Sequence, residues 1–438
     1  MKPDIRKIAL VILCEQEAAG KYVNLALSSH KADRLSGEER AQLTALLYTA
    51  VEKRLSYDYY ISAISAREAE KIDPYTKNIL RLGLCQILDM RAIPDFAAVN
   101  ETVKLARNSG ERSFVNGVLR AAARNKGALP MPSEEKNYKR YLSVKYSFPL
   151  WIVKALDSLY GREETERILD FYNKEKYTDI TVNTNKISVE EYSKALAERG
   201  IEHERFKDSL SIRIKRSLNP ETLYGFIEGY FLVQDRASMI SAAVLCAGSG
   251  ELIIDTCACP GGKSFAAAIM TGDCADIRSF DLHGAKLSLI SGGAERLGLG
   301  SIKPALRDAT SPDPELFGKA DRVICDAPCS GLGVLGKKAD LRYKDEGDIS
   351  ALPELQYSIL KESAKYLKAG GVMTYSTCTL LPEENGEIIK KFLREHEDFS
   401  AVDFSVYGYN SEGGMLTLVP SRDKCDGFFV AKLQRRGE

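Results

Sequence analysis

The chain predicts a multidomain protein with an all-α N-terminal domain, a small α+β subdomain and a C-terminal α/β domain. The last is expected to be a doubly wound parallel sheet closed by an antiparallel hairpin at its edge. Three observations carry this reading. The 438 residues exceed what one compact core holds. Apolar residues recur at three- and four-residue spacing through residues 4–125, which is helical periodicity. Beyond residue 250, short apolar runs alternate with helical stretches, the pattern of a parallel sheet.

The helical part spans residues 1–126. Its apolar stripes are Ile5, Ile8, Ala9 and Ile12, then Leu43, Leu46, Leu47 and Ala50, then Ile79, Leu80, Leu82, Leu84, Ile87 and Leu88. Breakers at Gly37, Pro74, Pro94 and Gly110 divide it into six or seven helices. Residues 127–176 read as a linker and helical connector: 126–150 is polar with three prolines and leads into a helix at about 149–160, with Pro149 in its first turn. Over 177–250 the texture alternates: Thr178–Asn183 and Leu210–Lys215 read as strands, and Val189–Arg199 as a helix. In 251–438 the expected strands are Leu252–Asp255, Asp276–Asp281, Ser301–Ala305, Arg322–Asp326 and Val372–Tyr375. Leu416–Pro420 and Gly427–Leu433 are joined too closely for a parallel crossover, so they form the hairpin.

Composition is that of an ordinary soluble protein, 44% apolar and 28% charged. The apolar run Ile8–Cys14 is followed by Glu15 and Glu17; it is too short to span a bilayer and lacks a cleavage site. A cytoplasmic protein with no membrane association is expected, with a monomer favoured. Net charge is zero, yet residues 1–126 carry 20 Lys and Arg against 15 Asp and Glu, so the N-terminal third is the better nucleic-acid candidate. Ten cysteines show no regular disulfide spacing and should be free thiols. Cys14, Cys85, Cys246 and Cys325 lie in apolar runs and read as small buried hydrophobes.

The first chemical motif is Asp255-Thr-Cys-Ala-Cys-Pro-Gly-Gly-Lys263, a glycine turn between strand and helix. Ligands of such sheets bind beyond the carboxyl ends of the strands, and a helix start offers free N–H groups. Asp281 ends the next strand, where a carboxylate takes ribose hydroxyls, and Asp308 follows the third, placed for an adenine amino group. The dinucleotide pattern Gly-x-Gly-x-x-Gly is missing, which favours S-adenosylmethionine over NAD. Cys257 and Cys259, with Cys274, invite a metal, but Cys-x-Cys spacing and four scattered histidines (His30, His203, His283, His396) argue against one.

Two further cysteines, 49 positions apart, each follow an apolar strand: Cys329 in Asp326-Ala-Pro-Cys-Ser-Gly-Leu-Gly333 and Cys378 in Tyr375-Ser-Thr-Cys-Thr379. Either alone could be packing. Both at strand tips beside a cofactor turn suit methylation of cytosine C5, a poor nucleophile. A thiolate added at C6 makes C5 enamine-like, a base then removes the C5 proton, and a second thiol assists the elimination. Asp326 is placed to act near N3.

These motifs, with Pro382-Glu-Glu-Asn385, resemble the signatures of the RNA cytosine-C5 methyltransferases. The resemblance implies that Cys378 is the nucleophile and that Cys329 assists product release. It also implies that Cys257, Ala258, Cys259, Pro260, Gly261, Gly262 and Lys263, with Asp281, Asp308 and Asp326, bind S-adenosylmethionine. Asn78–Gln86, Ile93–Val103 and Phe114–Arg120 are similar to the antitermination factor NusB. A NusB-like domain before a Rossmann-like methyltransferase is the layout of the RsmB (Sun, Fmu) family of bacterial 16S rRNA methyltransferases. That implies an RNA partner and, as target, cytosine 967 of 16S rRNA. The chain departs from the family at Cys259 for alanine, Leu332 for threonine, Thr181 for arginine, and Ala339 for proline in Lys337–Arg342. Of Arg422–Phe429 only Asp-Gly-Phe-Phe matches.

A cytosine inside a helix hides C6, so the target must be unpaired or flipped out. Lys337, Lys338, Arg342, Tyr343 and Lys344 are candidates to hold the RNA strand, and Arg213, Lys215 and Arg216 form a second patch. The same chemistry on tRNA or another RNA, and a catalytically silent RNA-binding scaffold, are the alternatives.

Overall fold

The computed structural model describes residues 4–19, 23, 27, 35–174, 177–216 and 218–437. They form two compact units, Met1–Asn173 with Lys337–Lys344, and Lys174–Gly336 with Asp345–Glu438.

In the first unit six α-helices precede residue 126 among the described residues: Ile5–Ala19, Gly37–Glu52, Arg54–Ser65, Pro74–Leu88, Asp95–Val103 and Ser109–Arg124. Pro74–Leu88 is the central one, buried from Thr76 to Ile87. Asp73 caps it, and Pro74 occupies the first turn, where its missing N–H is harmless. A helix buried all round must also bury polar groups. Arg81 is held by Asp58 at 2.7 and 2.6 Å and by Glu17 at 2.9 Å, while Asn78 donates to Glu17 at 3.0 Å. Gly37 opens its helix behind the Ser36 capping box, and Pro94 is the N-cap of Asp95–Val103. Gly110, expected as a breaker, lies within the first turn of Ser109–Arg124, because Asn108 supplies the cap two residues earlier.

Residues 127–173 are more helical than a linker. Tyr138–Tyr146 is a helix that polar composition had concealed, and Leu150–Lys174 runs well past 160, kinked at Gly161 (φ 74°).

Lys337–Lys344 belongs to this helical unit, and the packing of Arg342 and Tyr343 within it corrects the reading of those two residues as a grip on RNA. Arg342 is fully buried; its guanidinium stacks 3.9 Å from the Phe148 ring centre and donates to the Glu52 carbonyl at 3.2 Å. Tyr343 donates to the Val51 carbonyl at 2.6 Å. Both carbonyls end helix Gly37–Glu52, where the helix itself provides no donors and the dipole favours a cation. Asp340 accepts from Gln16 at 2.9 Å and from the Val23 N–H at 3.3 Å, and Ala339 lies in the helical core. Lys337 and Lys338 are exposed. Replacing Arg342 with Ala leaves a cavity and an unmet carbonyl, so calorimetry should show a loss of about 3 kcal/mol.

The second unit opens with strands β1 (Thr178–Val182), β2 (His203–Arg205), β3 (Ser211–Ile214) and β4 (Phe231–Val233), antiparallel in the order β2-β3-β1-β4. Helix Val189–Glu198, capped by Ser188 and Glu191, packs Tyr192 and Leu196 against Ile180, Ile212 and Phe231. The main sheet follows, with β5 (Leu252–Asp255), β6 (Asp276–Asp281), β7 (Ile302–Leu306), β8 (Ala320–Asp326), β9 (Leu367–Thr377) and β10 (Phe399–Ala401). A two-stranded hairpin, β11 (Ser405–Val406) and β12 (Tyr409–Asn410), precedes β13 (Met415–Leu418) and β14 (Phe428–Arg435). The order is β10-β14-β9-β8-β5-β6-β7, with β13 also on β14.

Strands β5 to β9 are parallel, and order reverses between β5 and β8, the switch point where such sheets bind ligands. The hairpin closes the edge as expected, with β14 inside against β9 and β13 outside. The chain is thus an all-α domain, a small α+β sheet and a doubly wound α/β domain.

Candidate active site

At the switch point β5 delivers Asp255 and a turn into helix Gly262–Met270. Gly261 has φ 109°, and a Cβ there would stand 2.3 Å from the Phe265 ring. Only glycine lets the backbone turn this closely over the sheet edge. Ala258 is buried and donates from its N–H to the Phe280 carbonyl at 2.8 Å, while Pro260 is exposed at the tip. The turn therefore presents backbone rather than bulky side chains.

Asp255 itself faces inward. It is buried, accepts from Ser264 Oγ at 2.7 Å, and its Oδ1 has no hydrogen-bond partner. Burial pushes its carboxyl up to about 7. An unfolded aspartate titrates near 4, so between about pH 4 and 7 the native state holds a proton that the unfolded chain releases. Stability contributed by Asp255 is present below pH 4 and falls as pH rises through 7, by at most about 1.4 kcal/mol per unit. Asp255→Asn should flatten the chain's stability profile across that window in denaturation experiments.

The other acids face outward. Asp281, at the end of β6, is partly exposed and accepts from the Cys259 N–H at 3.3 Å and the His283 N–H at 3.0 Å. Asp308, just past β7, is exposed and bonded through Oδ1 to Thr310. Beside them two leucines are left in solvent: Leu282 is 58% and Leu306 59% exposed. Sequence reading missed both, since each is ordinary strand-end apolar residue until the fold leaves it uncovered. Carboxylates, a glycine turn and apolar side chains on one rim fit the hydroxyls, amine and flat ring of a nucleoside.

Cys257 is pushed well up by burial, and Cys259 is partly buried. Among the described residues no cluster could hold a metal; His30 lies outside them.

On the other side of the switch point β8 ends at Asp326, one-third exposed. The Lys263 ammonium sits 2.5 Å from its Oδ2, and Ser376 donates to Oδ1 at 2.7 Å. Lys263 is itself 7% exposed and lies 5.0 Å from the Phe428 ring centre. Its charge is thus matched by Asp326.

Cys329 and Cys378 meet. Their sulfurs are 3.1 Å apart, and the Cys378 N–H points to the Cys329 sulfur at 3.3 Å. Both are partly exposed. The Cys329 thiol is pushed well above the ordinary range, first by its hydrogen bond with Cys378 and then by burial.

A buried frame fixes the two loops. Glu384 accepts from the Ser330 N–H at 2.9 Å and from Gln356 at 2.7 Å; Ser330 bonds Thr379 at 2.7 Å; Asn385 donates to the Thr379 carbonyl at 3.1 Å. Gly333 donates to the Cys378 carbonyl at 2.9 Å and receives the Gly427 N–H at 2.8 Å. Pro382-Glu-Glu-Asn385 was visible in the sequence, but the frame-building role of Glu384 and Asn385 was not, and nothing marked Gln356.

All ten cysteines are free. Cys85 and Cys325 are buried as expected and Cys14 partly so, but Cys246 is exposed, because it falls past the end of helix Arg236–Val244 at φ 51°. No helix is long and apolar enough to cross a membrane among the described residues.

Residues 242–434 match the family model for 16S rRNA methyltransferase RsmB/F, residues 3–124 that of the NusB family, and residues 148–219 the ferredoxin-like domain of RsmF/B-like methyltransferases. The probable ribosomal RNA small subunit methyltransferase B of Bacillus subtilis is 35% identical, with 100% of each chain covered. Its counterpart from Synechocystis is 34% identical over 98% of this chain and 99% of its own. The crystal structure of PH0851 matches with TM-score 0.81 and 26% identity, covering 99% of this chain and 100% of that one. That of NSun6 from Pyrococcus horikoshii with SFG matches with TM-score 0.60 and 22% identity, over 67% and 100%.

Proposed function

Since the chain belongs to the ribosomal RNA small subunit methyltransferase B family and uses S-adenosylmethionine to methylate that RNA, we propose that it methylates C5 of one cytosine through a covalent cysteine adduct. The observation that carries this reading is the 3.1 Å thiol pair beside the Asp326–Lys263 couple at the switch point. The family target, cytosine 967 of 16S rRNA, is the proposed nucleotide, unpaired or flipped into the cleft in the cytoplasm.

S-adenosylmethionine supplies an electrophilic methyl on a sulfonium. On this side of the reaction Gly261, Gly262 and the turn from Cys257 to Lys263 would line its backbone-facing edge, Asp281 its ribose, and Asp308 its adenine amine. Leu282 and Leu306 would cover the ring. Asp281→Ala should weaken cofactor binding about tenfold to a hundredfold by calorimetric titration, the loss of a hydrogen bond to a charged acceptor.

In the proposed reaction the Cys378 thiolate forms a bond to C6, and the C5–C6 π pair is conjugated back toward N3. Asp326, kept in place by Lys263 and Ser376, passes to N3 a proton drawn from the Lys263 ammonium, so the adduct is a neutral enamine at C5. C5 then takes the methyl group. In the elimination N3 returns its proton, a base takes the C5 proton, and that C–H pair rebuilds C5=C6 as the C6–S bond breaks. The Cys329 thiol, held protonated, hydrogen-bonds the departing Cys378 sulfur and lowers the cost of expelling it.

The test is transfer of labelled methyl to unmodified 16S rRNA transcript, with and without ribosomal proteins, mapped by bisulfite sequencing. Label at one cytosine is expected. Label on a ribose, an exocyclic amine or a purine would overturn the cytosine-C5 reading.

A further inference from the structure

Of the second basic patch expected from sequence, Arg213, Lys215 and Arg216, the structure keeps only part. Arg213 is buried and spent on Asp179, with two bonds of 2.7 Å, and its guanidinium stacks 3.5 Å from the Tyr177 ring centre and 5.4 Å from that of Phe206. It is a neutralised spacer that props two aromatic rings. Arg236, from the start of helix Arg236–Val244, stacks on Phe206 at 3.9 Å. Lys215 and Lys424 complete the walls of a cleft of about 480 Å³ around these rings. Glu204 and Asp423 also line it, but Asp423 is turned to the Val419 N–H at 2.6 Å and to Arg422 at 2.9 Å. Lys215 is half-exposed and pairs with the exposed Glu202, at 3.2 Å, a surface pair worth little. The cleft is thus cationic at its walls and aromatic at its floor.

Its position gives it a partner. Lys424 is three residues from Gly427, at most about 11 Å of chain. Gly427 is bonded to Gly333, and Gly333 to the Cys378 carbonyl. The Asp426 N–H is bonded to Asp235 at 3.1 Å, next to Arg236, so the cleft wall and the thiol loops share one rigid connection. Groups that hold phosphates and stack a base, a few nucleotides' reach from the reacting thiol, match a single strand.

We propose that this cleft binds the single-stranded RNA flanking the target base, with Lys215 and Lys424 on phosphates and Tyr177 as the stacking floor. The assignment rests on the proposed C5 reaction for its direction, but binding can be read without any chemistry. A fluorescent single-stranded oligoribonucleotide of mixed sequence, titrated with the full chain at several salt concentrations, is the probe.

Lys215→Gln combined with Lys424→Gln should weaken binding about tenfold and flatten the log–log salt slope by about 1.4, two single-strand phosphate contacts. Tyr177→Ala should weaken binding at least fivefold with an unchanged slope, and Tyr177→Phe should restore it. Lys303→Glu, an exposed lysine on β7, should change neither. Cofactor titration of each variant verifies folding. Wild-type affinity and slope in the double lysine variant would overturn the proposal. A wild type that binds the strand through this cleft yet places no label on cytosine C5 would uphold the cleft while the proposed reaction fails.

Discussion

Cys378→Ala is expected to lose methyl transfer by at least about 10³-fold while binding S-adenosylmethionine as tightly as wild type. Among the described residues the other thiols nearby, Cys257, Cys325 and Cys425, are all pushed up by burial and committed to packing. Cys329→Ala should give a different defect. Addition at C6 and methylation remain possible, but the departing sulfur loses the thiol 3.1 Å away, so elimination slows and methylated RNA stays bonded to Cys378. The expected result is a protein–RNA adduct that survives denaturing electrophoresis, appears only with S-adenosylmethionine and vanishes in the double variant. Exchanged outcomes, with the adduct in Cys378→Ala, would reverse the two roles. Two fully active single variants would remove the covalent mechanism altogether.

How much of this was legible beforehand depended on range. Cys329, Cys378, Asp326 and the glycine turn stood out because each closes a strand, and strand ends are set by local alternation of apolar and polar residues. Helix Pro74–Leu88 was legible for the same reason, as was the β13–β14 hairpin. Arg342 was not. A basic–aromatic run on a solvated loop and one that plugs a helix end are identical in composition, and only the carbonyls of Val51 and Glu52, about 290 positions away, decide between them. Arg213 failed likewise, because its Asp179 partner sits on a neighbouring strand. Leu282 and Leu306 are the reverse case: apolar residues expected inside, left outside by the sheet's own edge. Long-range pairing is where sequence reading ran out, and it ran out most at the substrate side.

Gly333→Ala carries the second large expectation, and it tests whether the thiol geometry is imposed from outside the cysteines. A Cβ on Gly333 would stand 1.8 Å from the Gly427 carbonyl oxygen, 2.5 Å from its carbon and 2.9 Å from the Cys378 carbonyl oxygen. All three are backbone atoms, so no side-chain rotation relieves the overlap, and the Cys329 loop, the Cys378 loop and the β14 entry must part. Displacements of an ångström in a reacting pair cost about a hundredfold in rate, and this one must exceed that. Methyl transfer should therefore fall by at least about 10²-fold with both cysteines present. Cofactor affinity should hold within about twofold, because the turn at Gly261 and the acids on β6 and after β7 lie on the other side of the switch point. Gly347→Ala, where nothing lies within 4 Å of the added carbon, should leave activity unchanged. If Gly333→Ala were as active as wild type, the close crossing of Gly333 and Gly427 would not be what aligns the thiols, and the Glu384 frame alone would have to suffice.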